Sequence, residues 1–323
     1  MAAKEMVAIN PMTAWGIRMP DEPILLVLGA GASVPFGFPT GRDLCDSIID
    51  GLADDSSPIR RTLGELGYGD EDIGDFRDRL TRSVAGTIDQ FLEHNWRYSD
   101  MGRAIMAHEL ARREDEARLF DRKNGNWYAL LARHFFPGPS DLDNRRIGFV
   151  TFNYDRSLEH FLFTWIVNRL NRTEADAARF VNSLTIDHMY GKLGHLPWEQ
   201  PNAQDTASSY SRPYGMEVAC DAIAGCAECL RIPYDPGITR EPFRHVSLHL
   251  GSYRAIHFLG FGYDDLNLRR LGVTEDHGLT TLHGSAYKVG QRVKERIESG
   301  YRIQLDREGR PALEYLQEVL GWE

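Results

Sequence analysis

The segment ILLVLGAGAS (residues 24–33) decides the fold of this chain. Its first five residues are all apolar, which is typical of a strand that is buried on both faces of a parallel sheet. The strand runs into a glycine-rich turn, and Thr40 with Asp43 three residues later is typical of a helix start. Apolar residues then recur at helical spacing through Leu52. The segment therefore predicts a strand, a tight turn and a helix.

Three later segments share this apolar character and end in polar or glycine-rich turns, namely residues 147–152, 184–189 and 255–259. Helical patterns follow the second strand, over residues 158–170, and precede the fourth, over residues 219–230. Alternating strands and helices indicate an α/β protein. We therefore predict a single domain over residues 1–323, with a doubly wound, mostly parallel, Rossmann-like sheet.

The connections between these strands differ in character. Residues 63–136 are charged and helical in periodicity, which predicts a helical insertion between the first two strands. Residues 200–213 are polar, contain proline and lack periodicity, so we expect a mobile surface loop. The sequence of the C-terminal part predicts a helix from Gly290, a short extended segment near residues 302–305 and a helix over residues 311–320.

The bulk properties exclude several classes of protein. The net charge of −10 opposes a broad phosphate-binding surface, so nucleic acid is a poor candidate partner. The sequence contains no run of about 18 apolar residues, so we expect no membrane span. Met1 to Pro20 has no signal-peptide pattern, and the chain has only four cysteines. We therefore expect a soluble, cytoplasmic protein.

The first turn predicts a nucleotide site. Gly29 and Gly31 lack side chains that would block a phosphate from the backbone, the following helix start favours an anion, and Ser33 can donate its hydroxyl. The alternative is a tight turn that only packs a helix against the sheet. A dehydrogenase is disfavoured, because Val34 occupies the third glycine position and the acids about 20 residues on lie inside the helical pattern.

When the later strand ends are added, the chain resembles the sirtuins. GAGAS (29–33) with Gly37 and Pro39, TFNYD (151–155), HMYG (188–191) and GFGY (260–263) occur in the order of the sirtuin motifs and span residues 24 to about 290. The resemblance is to the bacterial branch used in antiviral defence. It implies hydrolysis of NAD to nicotinamide and ADP-ribose, with the pyrophosphate at the first turn and the adenosine half at the last. The residues that it places in binding are Gly29, Ala30, Gly31, Ser33, Pro39, Thr151, Tyr190, Gly191, Gly260 and Gly262.

The second motif supplies the candidate catalytic groups. Cleavage of the nicotinamide–ribose bond passes through an oxocarbenium-like state, which an amide and a carboxylate can orient and stabilise. Asn153 and Asp155 are of these types, and the resemblance implies that they hold the ribose and water. The alternative is that both residues cap the helix that follows.

The third motif supplies the candidate general base, His188. Sirtuins carry histidine directly before the glycine, where this chain has Tyr190. Because alternate residues of a strand share a face, His188 and Tyr190 both face the pocket if the segment stays extended. The alternatives are that Tyr190 has replaced the base or that His188 is structural. His195 is a nearby substitute, and His283-Gly284-Ser285 is interpreted as a pocket wall.

The cysteines do not support a protein deacylase. Sirtuin deacylases carry two Cys-x-x-Cys pairs on zinc, whereas this chain has only Cys226 and Cys229 in that spacing, within a helical pattern. We therefore predict buried cysteines and no metal. The sequence leaves two hypotheses: an NAD glycohydrolase, or a weak or inactive nucleotide-binding sensor or scaffold. The resemblance implies a homo-oligomer or a complex with a regulatory protein.

Overall fold

A computed structural model of the protein describes residues 23–123, 125–200, 209–215, 219–232, 241–273, 278 and 280–323. Its sheet has six strands, all parallel, in the order β3-β2-β1-β4-β5-β6. The strands are β1 (Ile24–Leu28), β2 (Ile147–Thr151), β3 (Thr185–His188), β4 (Ala255–Leu259), β5 (Thr281–Gly284) and β6 (Gln304–Leu305). The predicted doubly wound parallel sheet is confirmed.

Fifteen α-helices lie within the described residues. In chain order they are α1 (Ala30–Ser33), α2 (Gly41–Ala53), α3 (Pro58–Glu65), α4 (Asp70–Ser83), α5 (Ile88–His94), α6 (Ser99–Ala111), α7 (Glu116–Leu119), α8 (Trp127–Phe135), α9 (Ser157–Leu170), α10 (Glu174–Ser183), α11 (Cys220–Cys229), α12 (Glu241–His249), α13 (Asp265–Leu271), α14 (Gln291–Tyr301) and α15 (Ala312–Glu318).

The helices cover both faces of the sheet. Along β1, Leu26 and Leu28 pack into one hydrophobic cluster, and Leu25 and Val27 pack into the other. The first cluster includes the apolar faces of α2 to α6 and of α8 to α11, and the second includes those of α12 to α14. Burial on both faces is why β1 is continuously apolar, since successive side chains of a strand point to opposite sides.

The helical insertion begins before residue 63. Helices α2 and α3 pack into the same hydrophobic cluster as α4 to α6 and so belong to the same helical layer. The described residues between 63 and 136 form helices and turns without a strand, as predicted. Helix α2 begins where expected: the Thr40 hydroxyl accepts from the amide of Asp43, and the Asp43 side chain accepts from the amide of Thr40. This capping box gives two backbone amides at the start of the helix hydrogen-bond partners from the helix's own residues.

Several elements differ from expectation. The sequence analysis did not predict β5, α10, α12 or α13. β3 ends at His188, one residue before the predicted strand end. Residues 201–208 of the predicted mobile loop lie outside the described residues. In the described part of the chain, no helix combines the length and apolar character needed to cross a bilayer.

Candidate functional site at the strand ends

The carboxyl ends of the parallel strands lie at one edge of the sheet and bring the four motifs together. The strand order reverses at β1, between β2 and β4. In open α/β sheets, such a switch point is where ligands bind. We define the strand-end site as residues 29–33, 151–155, 188–191 and 260–264 together with Asp89.

The two glycine turns at the switch point are bound to each other. The amide of Gly29 donates to the Leu259 carbonyl at 3.0 Å, and the amide of Gly31 donates to the Gly260 carbonyl at 2.9 Å. A Cβ on Gly29 would lie 2.7 Å from the Gly260 carbonyl oxygen, and one on Gly31 would lie 2.9 Å from the Gly260 Cα. Gly260 has a φ of +56°, and its own Cβ would lie 2.0 Å from the Ala32 amide nitrogen.

These distances correct the sequence interpretation of the glycines. Gly29, Gly31 and Gly260 are required because two backbones pass in contact, whereas the sequence suggested that they leave room for a phosphate. The helix after the first turn is also too short to supply a strong dipole, since α1 has four residues. Open surface remains at Gly262, which is exposed and whose Cβ would meet no atom within 4 Å. Ala30 and Pro39 are half-buried.

Ser33 connects the first and second motifs. Its buried hydroxyl donates to Asp155 Oδ2 at 2.8 Å and accepts from Asn153 Nδ2 at 2.9 Å. In this conformation the hydroxyl hydrogen of Ser33 is donated to Asp155 and is not available to a phosphate. The hydroxyl instead fixes the position of the Asn153 amide.

Asn153 is the best placed of the predicted catalytic residues. Its Nδ2 donates to the Gly29 carbonyl at 3.0 Å and to the Ser33 hydroxyl at 2.9 Å. An amide nitrogen has two hydrogens, so both are used and Oδ1 remains as an acceptor. The residue is half-buried, and its backbone amide donates to the Thr151 hydroxyl at 3.0 Å. Thr151 thus shapes the turn.

Asp155 lies beneath the site. Its side chain is buried and accepts from the Ser33 hydroxyl and from the amide and hydroxyl of Ser157. Burial raises the pKa of this carboxyl, and the hydrogen bonds from the two serines oppose that shift. Asp155 therefore joins the first turn to the start of α9, as the helix-capping alternative predicts, and in this conformation it acts on a ligand only through Ser33.

Both ring nitrogens of His188 are engaged by protein groups. Its Nδ1 is 3.1 Å from the Asn153 carbonyl oxygen, and its Nε2 is 2.8 Å from Glu159 Oε1. Although burial opposes ionisation of Glu159, the charges of His188 and Lys192 hold its pKa below the usual range. Both ring nitrogens therefore lie within hydrogen-bond distance of protein oxygens in this conformation. This geometry disfavours His188 as the general base and makes it a residue that positions Asn153.

Tyr190 lies on the other side of the sheet from His188. Its hydroxyl donates to Asn267 Oδ1 at 2.6 Å and accepts from Arg270 Nη1 at 2.9 Å, and its ring belongs to the second hydrophobic cluster. Burial raises the pKa of this hydroxyl, so it stays protonated. The two side chains do not share a face, because the segment does not stay extended: β3 ends at His188 and the chain then turns. Gly191 permits that turn with a φ of +76°.

Asp89 on α5 was not recognised from the sequence as part of the site. The single hydroxyl hydrogen of Tyr154 in the second motif lies between two acceptors, Asp89 Oδ1 at 3.3 Å and the Arg231 carbonyl oxygen at 3.1 Å. Burial raises the pKa of Asp89 to about 6, and the nearby charge of Asp264 adds to the shift. A half-buried carboxylate with a raised pKa beside the second and last motifs is a candidate catalytic group. The sequence signal was weak, because an acid in the first turn of a helix is ordinary.

The other candidate residues of the sequence analysis, His195, His283 and Ser285, have structural roles. His195 is buried and pairs its Nδ1 with Glu199 at 3.5 Å. The Ser285 hydroxyl accepts from the Gly260 amide at 3.0 Å, and the His283 ring stacks on His257. Ser285 therefore supports the last glycine turn from beneath, and the interpretation of this segment as a pocket wall is replaced by one of support.

A buried ion cluster fixes the insertion to the second motif. Arg156 donates to both oxygens of Glu114 at 2.8 Å, and Arg212 donates to Glu114 at 2.7 Å. The Arg212 Nε also donates to the Cys226 sulfur at 3.2 Å. Cys226 thus has a packing role, and Cys229 is buried as well. Among the described residues, no group of three or more His, Cys, Asp or Glu side chains could hold a metal ion.

No protein-family model and no curated protein matches this chain. The functional interpretation therefore depends on the geometry of the strand-end site and on the order of the four motifs along the sequence.

Proposed function

We propose that this protein is an NAD glycohydrolase that releases nicotinamide and ADP-ribose. The observation that carries the proposal is the convergence of four sirtuin-like motifs at the switch point of the sheet, with the Asn153 amide and the Asp89 carboxylate at that edge. In other open α/β proteins, a dinucleotide lies across this crevice. NAD is thus the proposed substrate, and the reaction needs no metal.

The surface available to the dinucleotide lies above the joined glycine turns. Ala30 is half-buried and Gly262 is exposed, one on each side of the switch point. Because the turns hold each other through two backbone hydrogen bonds, this surface is preorganised and costs little to order on binding. We propose that the pyrophosphate lies over the outer surface of the first turn beside Ala30, since the amides of Gly29 and Gly31 are already bonded, and that the adenosine half lies at the last turn.

The chemistry assigned to the site breaks one bond and forms another. The bond between the nicotinamide nitrogen and ribose C1′ breaks, and its electron pair stays on the nicotinamide nitrogen. The oxygen of a water molecule bonds to C1′, and its proton passes to the Asp89 carboxylate and then to solvent. Ionised Asp89 also stabilises the positive charge that develops on the ribose. Asn153 Oδ1 accepts from the water or from a ribose hydroxyl.

His188 and Asp155 are positioning residues in this proposal. His188 donates to the backbone carbonyl of Asn153, and Asp155 accepts from the Ser33 hydroxyl that holds the Asn153 amide. Both therefore act on the substrate through Asn153. Geometry errors of about 1 Å reduce rates by about a hundredfold, so loss of either contact is expected to lower activity.

The biological setting is proposed from the motif resemblance. An effector of antiviral defence that depletes NAD in the cytoplasm must be held inactive until infection. A regulatory protein or a homo-oligomer would supply that control. The proposed site itself requires only NAD as its substrate.

A nucleotide-binding sensor or scaffold is the second candidate. The specific observation that favours it is that both nitrogens of His188 are hydrogen-bonded while Tyr190 is buried against α13. In that case the site binds NAD and does not turn it over. Nucleotide affinity is then the same as for the hydrolase, so only turnover distinguishes the two functions.

The test follows free nicotinamide by chromatography during incubation of the purified chain with NAD. Asn153→Ala and Asp89→Asn are compared with Asp72→Asn, which removes the same charge from an exposed position on α4. We expect release by the parent and by Asp72→Asn, and a loss of about 10²- to 10⁴-fold in Asp89→Asn. NAD binding by calorimetry and an unfolding curve for each variant show that the site and the fold persist.

Release of nicotinamide by the parent and by Asn153→Ala at equal rates would contradict the assigned site. No release by any protein, with intact NAD binding, would favour the sensor.

A further inference from the structure

A cavity of about 830 Å³ lies away from the strand-end site, between α8, α9, α15 and the loop that follows α7. Its volume is within the range of small-molecule sites, about 300 to 1,000 Å³. It extends from the face of α9 that carries Trp165 and Arg169. Trp165 is eight residues beyond Ser157, where α9 begins beside the second motif, and a helix rises 1.5 Å per residue. The cavity is thus about 12 Å along the helix from the strand-end site.

The charged residues that line this cavity are all basic. They are Arg122, Lys123, Arg133 and Arg169, and the described lining contains no Asp or Glu. All four side chains belong to exposed residues, and within the described part of the chain none makes an ion pair. The protein has 47 acidic residues against 37 Lys and Arg, so acidic side chains are more numerous than basic ones in the chain as a whole. The four basic residues of the cavity nevertheless have no carboxylate beside them in the described lining. A concave surface of one charge sign raises the local concentration of ligands of the opposite sign.

The floor of the cavity is aromatic. Phe120 and Trp165 are half-buried and line the cavity, and Phe120 stacks on the buried Phe161 with ring centroids 5.2 Å apart. Aromatic faces stack on nucleobases, and guanidinium groups bind phosphate oxygens in pairs. The cavity therefore offers separate surfaces for a planar ring and for a dianionic phosphate group.

We propose that this cavity is a second binding site, for a nucleoside phosphate of mononucleotide size. The ring lies against the half-buried Phe120 and Trp165, and the phosphates contact Arg133 and Arg169, which come from two adjacent helices. The volume accommodates one small ligand, and the net charge of −10 opposes a long polyanion such as nucleic acid. The proposal does not depend on NAD hydrolysis, because no residue of the cavity belongs to the strand-end site.

The test is calorimetric titration of the full chain with ADP. A double variant, Arg133→Ala with Arg169→Ala, is compared with Arg61→Ala combined with Arg292→Ala. The control removes two exposed arginines from α3 and α14, so both double variants carry the same net charge. We expect the parent and the control to bind ADP alike and the cavity variant to bind at least about tenfold more weakly.

Two further titrants separate the parts of the site. Inorganic pyrophosphate and adenosine are each expected to bind at least about tenfold more weakly than ADP, because each reaches only one of the two surfaces. Equal affinity of ADP for the two double variants would overturn the proposal, since binding would then be at the strand-end site or nonspecific. Absence of ADP binding by the parent at millimolar concentration, or equal binding of pyrophosphate and ADP, would overturn it as well.

Discussion

Glu114→Ala is expected to destabilise this protein more than any other single loss of a carboxylate described above. The Glu114 side chain is fully buried, as is that of Arg156, and it accepts from Arg156 at 2.9, 2.8 and 2.8 Å. It also accepts from Arg212 at 2.7 Å and from the Gly215 amide at 3.2 Å. The substitution therefore leaves two guanidinium groups in the interior with no carboxylate.

The magnitude follows from the burial. Breaking a buried ion pair by removing one partner costs about 3 to 5 kcal/mol, because the remaining charge stays desolvated. The free energy of unfolding of a typical domain is about 5 to 15 kcal/mol, so this is a large fraction of it. With a urea m-value of about 3 kcal/mol/M, the midpoint falls by about 1 to 2 M.

Urea unfolding followed by circular dichroism measures this shift, and Glu116→Ala is the matched control. Glu116 lies two residues away, and its side chain is 61% exposed and pairs with His160. Exposed pairs contribute about 0 to 1 kcal/mol, so the control is expected to unfold close to the parent. Equal midpoints for Glu114→Ala and Glu116→Ala would refute the assignment of the cluster as the anchor of the insertion.

Three further predictions concern the turns, the pH dependence of stability and the proposed reaction. Gly260→Ala is expected to lower the free energy of unfolding in urea by at least about 2 kcal/mol, because its φ is left-handed and its Cβ would lie 2.0 Å from the Ala32 nitrogen. Gly262→Ala is the control and is expected to lower it by less than about 1 kcal/mol. Similar decreases for the two variants would contradict the packing of the turns. Burial lowers the pKa of His257 to about 3, so the unfolded chain binds a proton below about pH 6.5 that the folded chain does not. Stability is therefore lost as the pH falls from 6.5 towards 3, by up to about 1.4 kcal/mol per unit, and His257→Gln should flatten the curve. Because Asp89 with a pKa of about 6 must be ionised to act as the base, nicotinamide release should fall as the pH drops through 6, and a flat profile would exclude that role.

Much of the fold could be predicted because its signals are local. A strand covered on both faces must be apolar throughout, which is why β1 and β4 were located to the residue. The helix start at Thr40 was equally clear, because a capping box is a contact between residues three apart. The order of the four motifs along the chain was visible in the sequence as well, because each follows an apolar run.

The sequence could not assign the side chains within the site, because their roles depend on contacts between distant segments. Gly31 faces Gly260 across 229 positions of chain, and only the assembled sheet shows that backbone contact requires both. His188 and Tyr190 share a strand pattern, yet the strand ends between them and sends them to opposite faces.

The sequence by itself determined the class of sheet and the bounds of its first and fourth strands, since these follow from the periodicity of apolar residues. Only the tertiary structure decided the order of the strands and which groups at the carboxyl edge of the sheet are free to act. Asp89 reaches it from the inserted helices, and His188 is held there by Glu159. The physical reason is that burial and hydrogen-bond partners set the state of a polar group, and both arise when the chain is packed.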